Sequence, residues 1–280
     1  MTVFEKIESA ARTAYKSEPQ GDPRGFCDKL WKAGHFPVFE FANFHVKLLS
    51  EDMKEEAAGG YRYLDVSYDP VDGKAILSGT LRAFIEEFPG TKDSYVDPYV
   101  SNMFWESGFT PGKPPVPGSS FHHGIVKFVS EPGHKDNKMC AVKFVVNRAV
   151  SHELVRHRAQ SIIQESQRFC AYNKDRFNNE VTFIDPQPFF QKGSEGYNLW
   201  ESSCLLAEYT YLQMLKNGSS PQAARTVLPN SCKTELILFA TITEWKHIFK
   251  LRTSPAAEPS MREVMIPLQE EFFNHKDLWE

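Results

Sequence analysis

The segment Arg156-His157-Arg158-Ala159-Gln160-Ser161-Ile162-Ile163-Gln164-Glu165-Ser166-Gln167-Arg168-Phe169 joins a helical pattern to an extended one. Residues 148–160 read as a helix with Val150, Leu154 and Val155 on its buried side. That helix would end in Arg-His-Arg, three potentially cationic groups within one turn. Their repulsion is unfavourable without a counter-charge, although the helix C-terminus offsets part of it. A phosphate or pyrophosphate would supply the counter-charge, and guanidinium forks match its geometry. Further on, Gln164, Ser166 and Arg168 recur at every second position. In an extended segment their side chains would share one face, where amide, hydroxyl and guanidinium could read a nucleotide's base, sugar and phosphate. The competing reading is that Arg156 and Arg158 are solvated residues at a helix end.

Working outward, helical and strand patterns alternate on both sides. Residues 3–16 place Phe4, Ile7, Ala11 and Ala14 on one helical face, and 24–33 form a second short helix ended near Gly34. In 43–49, Phe44, Val46 and Leu48 alternate with polar residues, as in a half-buried strand. Residues 51–73 are polar and turn-rich. Ser78 could cap a helix carrying Leu81, Phe84, Ile85 and Phe88. Strands are expected at 141–146, 181–184 and 236–240, and helices at 200–216, 245–251 and 259–273. Asn217-Gly218 and Ser220-Pro221 supply a helix end and a helix start. The class is therefore α/β or α+β, a mixed sheet flanked by helices. Residues 89–132, rich in proline (Pro98, Pro111, Pro114, Pro115, Pro117) and aromatics (Tyr95, Tyr99, Phe104, Trp105), read as a long excursion packed on the surface. The whole of 1–280 reads as one domain with an inserted segment at about 50–135.

The bulk numbers narrow the chemistry. With 280 residues, 41% apolar and 24% charged, the chain resembles an ordinary globular protein. A net charge of −4 makes the chain as a whole no polyanion binder, so nucleic acid is not an expected partner. Cys27, Cys140, Cys170, Cys204 and Cys232 are odd in number and irregularly spaced, which fits free thiols in a reducing cytoplasm. Glu5 and Glu8 interrupt what a signal peptide would need, and no run approaches a membrane span. No metal site is expected. His152 and His157 are five apart and diverge by roughly 140° on a helix, so they do not make a zinc pair. His122, His123 and His134 read as structural or surface residues. Cys170, after Arg168 and Phe169, is better read as a small buried hydrophobe than as a nucleophile. No glycine-rich dinucleotide fingerprint or P-loop is present.

Arg156, His157, Arg158, Ser161, Ser166 and Arg168, with Phe169, resemble the R-H-R-x-x-S and S-x-R-[YF] motif of the flavin-dependent thymidylate synthases. Ala10–Thr13, Tyr15–Glu18, the stretch from Gly34-His35 to Glu40, Ala224–Glu235 and Glu244–Arg252 look like further segments of that family, in order. The resemblance implies the thymidylate-synthase-complementing-protein fold and a homotetramer with active sites between subunits. It implies FAD at Arg156, His157, Arg158, Gln164 and His247, with Thr241 and Thr243 also at flavin positions. Glu153, Arg156, Gln164, Glu165, Ser166, Gln167, Arg168, Arg225 and Arg252 would line a dUMP site. Ser166, Arg168 and Arg252 would be catalytic, Arg252 polarising the uracil at N3. The implied reaction carries a one-carbon group from methylenetetrahydrofolate to C5, with NADPH reducing the flavin, and needs no cysteine. The chain departs from the family pattern at Phe41, Ile163, Thr241, Thr243 and Glu258. Two other readings stand beside the first: the same scaffold acting on another pyrimidine nucleotide (UMP or a hypermodified base precursor), and a nucleotide-binding remnant with impaired flavin binding.

Overall fold

The computed structural model describes residues 2–88, 100, 103–104, 126–158 and 160–275. Two compact units share the chain. One comprises residues 1–10, 19–140 and 241–243, the other 11–18, 141–240 and 244–280. Helix α1 (Val3–Tyr15) buries the expected Ile7 and Ala11. No helix among the described residues is long and apolar enough to cross a membrane.

The first unit holds α2 (Pro23–Lys32), β1 (Asn43–Leu48), α3 (Glu51–Ala58), β2 (Asp65–Tyr68), β3 (Ala75–Thr80), α4 (Leu81–Glu87) and β4 (Val126–Val129). Its sheet runs β2-β3-β1-β4 with antiparallel neighbours. β1 is covered on both faces rather than half-buried, because His45 and Lys47 are buried along with Val46 and Leu48. Buried polar groups need partners. His45 Nδ1 lies 2.9 Å from Ser78 Oγ, and Lys47 Nζ reaches Asp69 at 2.6 Å and Asp72 at 2.7 Å. Ser78 is thus a strand residue. The α4 cap is Thr80, whose hydroxyl oxygen accepts from the Ala83 N–H. Residues 51–73 are not merely turns: α3 buries only Met53 and Ala57, one turn apart, too little apolar signal to announce a helix. β2 pairs with β3 through a turn in which Gly73 takes a positive φ of 67°. Within the excursion, Phe104 packs edge-on against Phe44 (5.1 Å) and contacts Phe84 (4.9 Å). Tyr95, Tyr99, Trp105, the prolines named above, His122 and His123 lie outside the described residues.

The second unit holds most of β5 (Met139–Asn147) and β7 (Lys233–Thr241) and all of β6 (Gln160–Gln164), in the order β5-β7-β6. β6 and β7 are antiparallel, from Gln160 opposite Ala240 to Gln164 opposite Leu236. The chain therefore has two sheets among its described residues instead of one mixed sheet, since element order alone cannot say which strands pair. Around them lie α5 (Arg148–Leu154), α6 (Glu195–Lys216), α7 (Pro221–Ala224), α8 (Ile242–Arg252) and α9 (Pro259–Asn274). The expected strand at 181–184 is reduced to one bridge, Phe183 to Cys232. Asn217 ends α6, and Ser220 caps α7 with Pro221 in its first turn, as the sequence indicates. Trp245, Ile248 and Phe249 of α8 are fully buried and, with Phe272 of α9, form an aromatic core.

Candidate active site

The Arg-His-Arg segment lies on a turn, not at a helix end. Asn147 opens α5 by accepting from the Val150 N–H at 2.8 Å. α5 stops at Leu154, before the first of the three cationic residues. The side-chain amide of Gln160 then donates to the carbonyls of Leu154 (3.1 Å) and His157 (2.8 Å), closing the turn into β6. Arg156 and Arg158 are exposed, and neither makes an ion pair with a described residue. His157, between them, is half-buried.

His157 meets the end of α8. In that helix Trp245, Ile248 and Phe249 face the core, Glu244 and His247 flank that face, and Arg252 continues it at the last position. The Arg252 guanidinium is held at three points. Nε–H donates to His157 Nε2 at 2.9 Å, Nη1 to the Glu153 carboxylate at 2.5 Å, and Nη2 to the Glu153 carbonyl at 3.0 Å. A guanidinium has only donors, so His157 Nε2 must be the acceptor and the proton of the neutral ring sits on Nδ1. Burial, then the charges of Arg252 and His247, push the His157 imidazole down to about 4, so it is neutral at ordinary pH. The His157 and His247 rings lie 6.2 Å apart, nearly perpendicular.

His157, Glu244 and His247 each bring one potential ligand atom within 4.8 Å of the others. Two imidazoles and a carboxylate are a familiar metal set. Here, however, a divalent ion would compete with Arg252 for the lone pair of neutral His157, beside a permanent positive charge. The histidine spacing of the sequence gave no hint of this group, which α8 assembles by pairing Glu244 and His247 three residues apart.

Gln164, Ser166 and Arg168 do not share the face of a strand. β6 ends at Gln164, whose amide donates to the hydroxyls of Ser151 (2.9 Å) and Thr234 (3.0 Å). The chain then turns: the Ser166 N–H bonds Ala14, and the Ser166 carbonyl accepts from Phe169 and Cys170. Ser166 is half-buried and Gln167 buried. Arg168 points outward, donating to Gln222 at 3.2 Å, with its guanidinium 5.5 Å from the centre of the Phe169 ring. Glu165 is turned inward at 2% exposure; it accepts from the Tyr172 hydroxyl at 2.9 Å and faces Lys233 at 3.6 Å. Arg225 is half-buried after α7 and makes no ion pair with a described residue. Thr241 closes β7 half-buried, and Thr243 is exposed in the first turn of α8. Burial pushes the Cys170 thiol up to about 11, which removes it as a nucleophile at neutral pH.

Sequence reasoning missed a second charge cluster in this unit. Glu235 accepts from Lys143 at 2.7 Å and Lys233 at 3.1 Å, and pairs with Lys16. Burial alone would raise its carboxyl, but hydrogen bonds from Lys143, Lys16 and Lys233 hold it down at about 2. Lys233 and Glu235 alternate along β7, a period-two charge pattern that could have signalled a shared face.

The sequence matches the family described as thymidylate synthase complementing protein over residues 125–275. The flavin-dependent thymidylate synthase of Pyrococcus abyssi is 33% identical over 132 residues, covering 47% of this chain and 53% of that protein. The chain thus spans about half the length of such curated relatives. Among solved structures, thymidylate synthase X of Helicobacter pylori with FAD and dUMP is similar at 20% identity and a TM-score of 0.41, covering 52% of this chain and 73% of that one. A UMP/dUMP methylase of Streptomyces cacaoi bound with 5-Br dUMP is similar at 18% identity and a TM-score of 0.40, covering 49% and 66%.

Proposed function

Because the chain belongs to the thymidylate synthase complementing protein family, we propose that it is a flavin-dependent methyltransferase converting dUMP to dTMP. Methylenetetrahydrofolate would donate the carbon and NADPH the reducing equivalents. The observation that carries this reading is the Arg252 guanidinium, held by Glu153 and His157 at the end of α8. A fixed guanidinium is what a pyrimidine ring needs if negative charge is to be stabilised on it while C5 acts as the nucleophile toward the one-carbon donor.

FAD fits the residues present. Arg156 and Arg158 are two exposed guanidiniums on one turn with no carboxylate among the described residues answering them, a donor set suited to a pyrophosphate. His157, Gln164, His247, Thr241 and Thr243 complete the proposed flavin residues. When bound, the flavin supplies the hydride that completes the methyl group. The chain's own groups do the rest. Arg252 orients and polarises the uracil at N3. Ser166 and Arg168 are proposed to meet the sugar and phosphate, with Gln164, Gln167 and Arg225 beside them. The inward-facing Glu165 contributes by anchoring the turn that presents Ser166 and Arg168.

A homotetramer is part of the same reading. α6 exposes Leu199, Leu205, Leu206 and Tyr209, the leucines by 59–66%. No exposed charge lies between Glu201 and Lys216 on this helix. Such a face is expected to be covered by another copy of the chain.

The test is purified protein supplied with FAD, NADPH, methylenetetrahydrofolate and either dUMP or UMP. The expected result is a yellow protein of tetrameric mass that forms dTMP from dUMP. Methylation of UMP alone would move the substrate to a ribonucleotide. A colourless protein that binds dUMP without turnover would overturn the enzyme in favour of a nucleotide-binding remnant.

A further inference from the structure

Three of the five guanidinium N–H groups of Arg252 are already engaged inside the chain, two by Glu153 and one by His157. One N–H on each terminal nitrogen meets no described residue. Two donors in one plane suit the edge of a uracil, one to a carbonyl oxygen and one to N3 as that nitrogen gives up its proton. Their direction is set entirely by the other three bonds. Those bonds come from two places: the last turn of α5, which offers a side-chain and a main-chain oxygen of the same residue, and the turn that follows it. The Arg252 and Glu153 side chains keep 18% and 36% of their surface, so this arrangement contributes modestly to stability. Its specific property is geometry.

We propose that Glu153 and His157 are positioning residues for Arg252: together they fix the plane and direction in which its two remaining donors meet the substrate ring. The proposal rests on the functional reading of Arg252 given above. His157 can serve only while its Nε2 lone pair is free, and its environment keeps it so. Among the described residues, Arg252, Glu244 and His247 from α8, and Glu153 through Arg252, are charged and titratable groups placed about it. The cationic imidazolium would face the guanidinium without an acceptor, and burial with Arg252 and His247 opposes that state. The Glu153 carbonyl is a main-chain acceptor that substitution leaves in place, so the imidazole and the carboxylate are the parts that mutation can remove.

The experiment compares His157→Leu, His157→Gln and Glu153→Leu, each purified with flavin bound and checked for an unchanged melting temperature. Glutamine can place a carbonyl oxygen near the position of Nε2; leucine offers no acceptor. Misaiming the guanidinium is expected to lower kcat at saturating flavin about 10- to 100-fold in the leucine variants, with KM for dUMP changed about two-fold or less. His157→Gln is expected to recover most of the loss. In an Arg252→Lys background, where the fork is gone, His157→Leu should have almost no further effect, because residues acting as a unit are not additive. Wild-type kcat in His157→Leu would overturn the proposal, as would an equal loss in both backgrounds. Normal turnover in Arg252→Lys and Arg252→Ala would instead overturn the functional reading itself, a distinct result.

Discussion

Arg252 and the pair Arg156 and Arg158 carry the same side chain into the second unit and are treated in opposite ways. Arg252, 18% exposed, has three donors answered by Glu153 and His157. Arg156 and Arg158 stand in solvent without an ion pair to any described residue. A guanidinium held by the protein has one orientation before any ligand arrives; one held by nothing acquires its geometry from the ligand. In the proposed reading, that difference separates a chemical role for Arg252 from an electrostatic one for Arg156 and Arg158. Glu235 gives the third case, a charge answered within the chain by Lys16, Lys143 and Lys233.

The sharpest way to break this comparison is to remove the held arginine. Arg252→Ala is expected to lower turnover on the order of 1,000-fold, the scale of losing one pre-aimed donor, while flavin loading and melting temperature stay close to wild type. Near-normal turnover would erase the distinction between Arg252 and its exposed counterparts.

Substitution at the structural charge should do the reverse. Glu235→Gln leaves three ammonium groups facing one another. It is expected to cost on the order of 2 kcal/mol in urea unfolding, discounted because Lys143 is half-exposed. The pH dependence follows from the carboxyl being held at about 2 against an ordinary 4.5. The unfolded chain binds that proton more readily, so the contribution is complete above pH 4.5 and drains away as pH falls toward about 2. Glu235→Gln should flatten the stability curve in that window. An unchanged acid slope would show that the lysines hold nothing together through this residue.

Smallest is the effect of the exposed pair. Arg156→Ala with Arg158→Ala is expected to weaken FAD binding roughly 10-fold at low salt, less as salt is raised, without altering kcat at saturating flavin. A drop in kcat at saturation would place these arginines with Arg252 after all.

How much of this the sequence made legible depended on the range of the interaction. Helix ends set by neighbours, such as Ser220-Pro221 and Asn217-Gly218, were readable, because a cap is decided within four residues. The residues of the Arg-His-Arg turn were found too, yet as the end of a helix. The Gln160 amide that closes the turn acts at a distance of six residues from Leu154, beyond helical periodicity. Arg252, Glu153 and His157 were each singled out through resemblance, but their contact spans 95 to 99 residues and only the fold brings them together. The alternation of Gln164, Ser166 and Arg168 misled because β6 stops at the first of them, where a main-chain bond from Ser166 to Ala14 turns the chain. Partly polar elements such as α3 and the Lys47 position of β1 escaped notice because their burial rests on partners, Asp69 and Asp72 for Lys47, and not on apolar spacing.

The central claim is that the Glu153–His157–Arg252 corner serves one-carbon chemistry at C5 of a uracil. Release of tritium from dUMP labelled at C5 reports the loss of that hydrogen and nothing else. With FAD, NADPH and methylenetetrahydrofolate present, the wild-type protein is expected to release tritium in step with dTMP formation, and Arg252→Ala to release almost none. A flavin-loaded wild-type protein that binds dUMP and releases no tritium would contradict the claim.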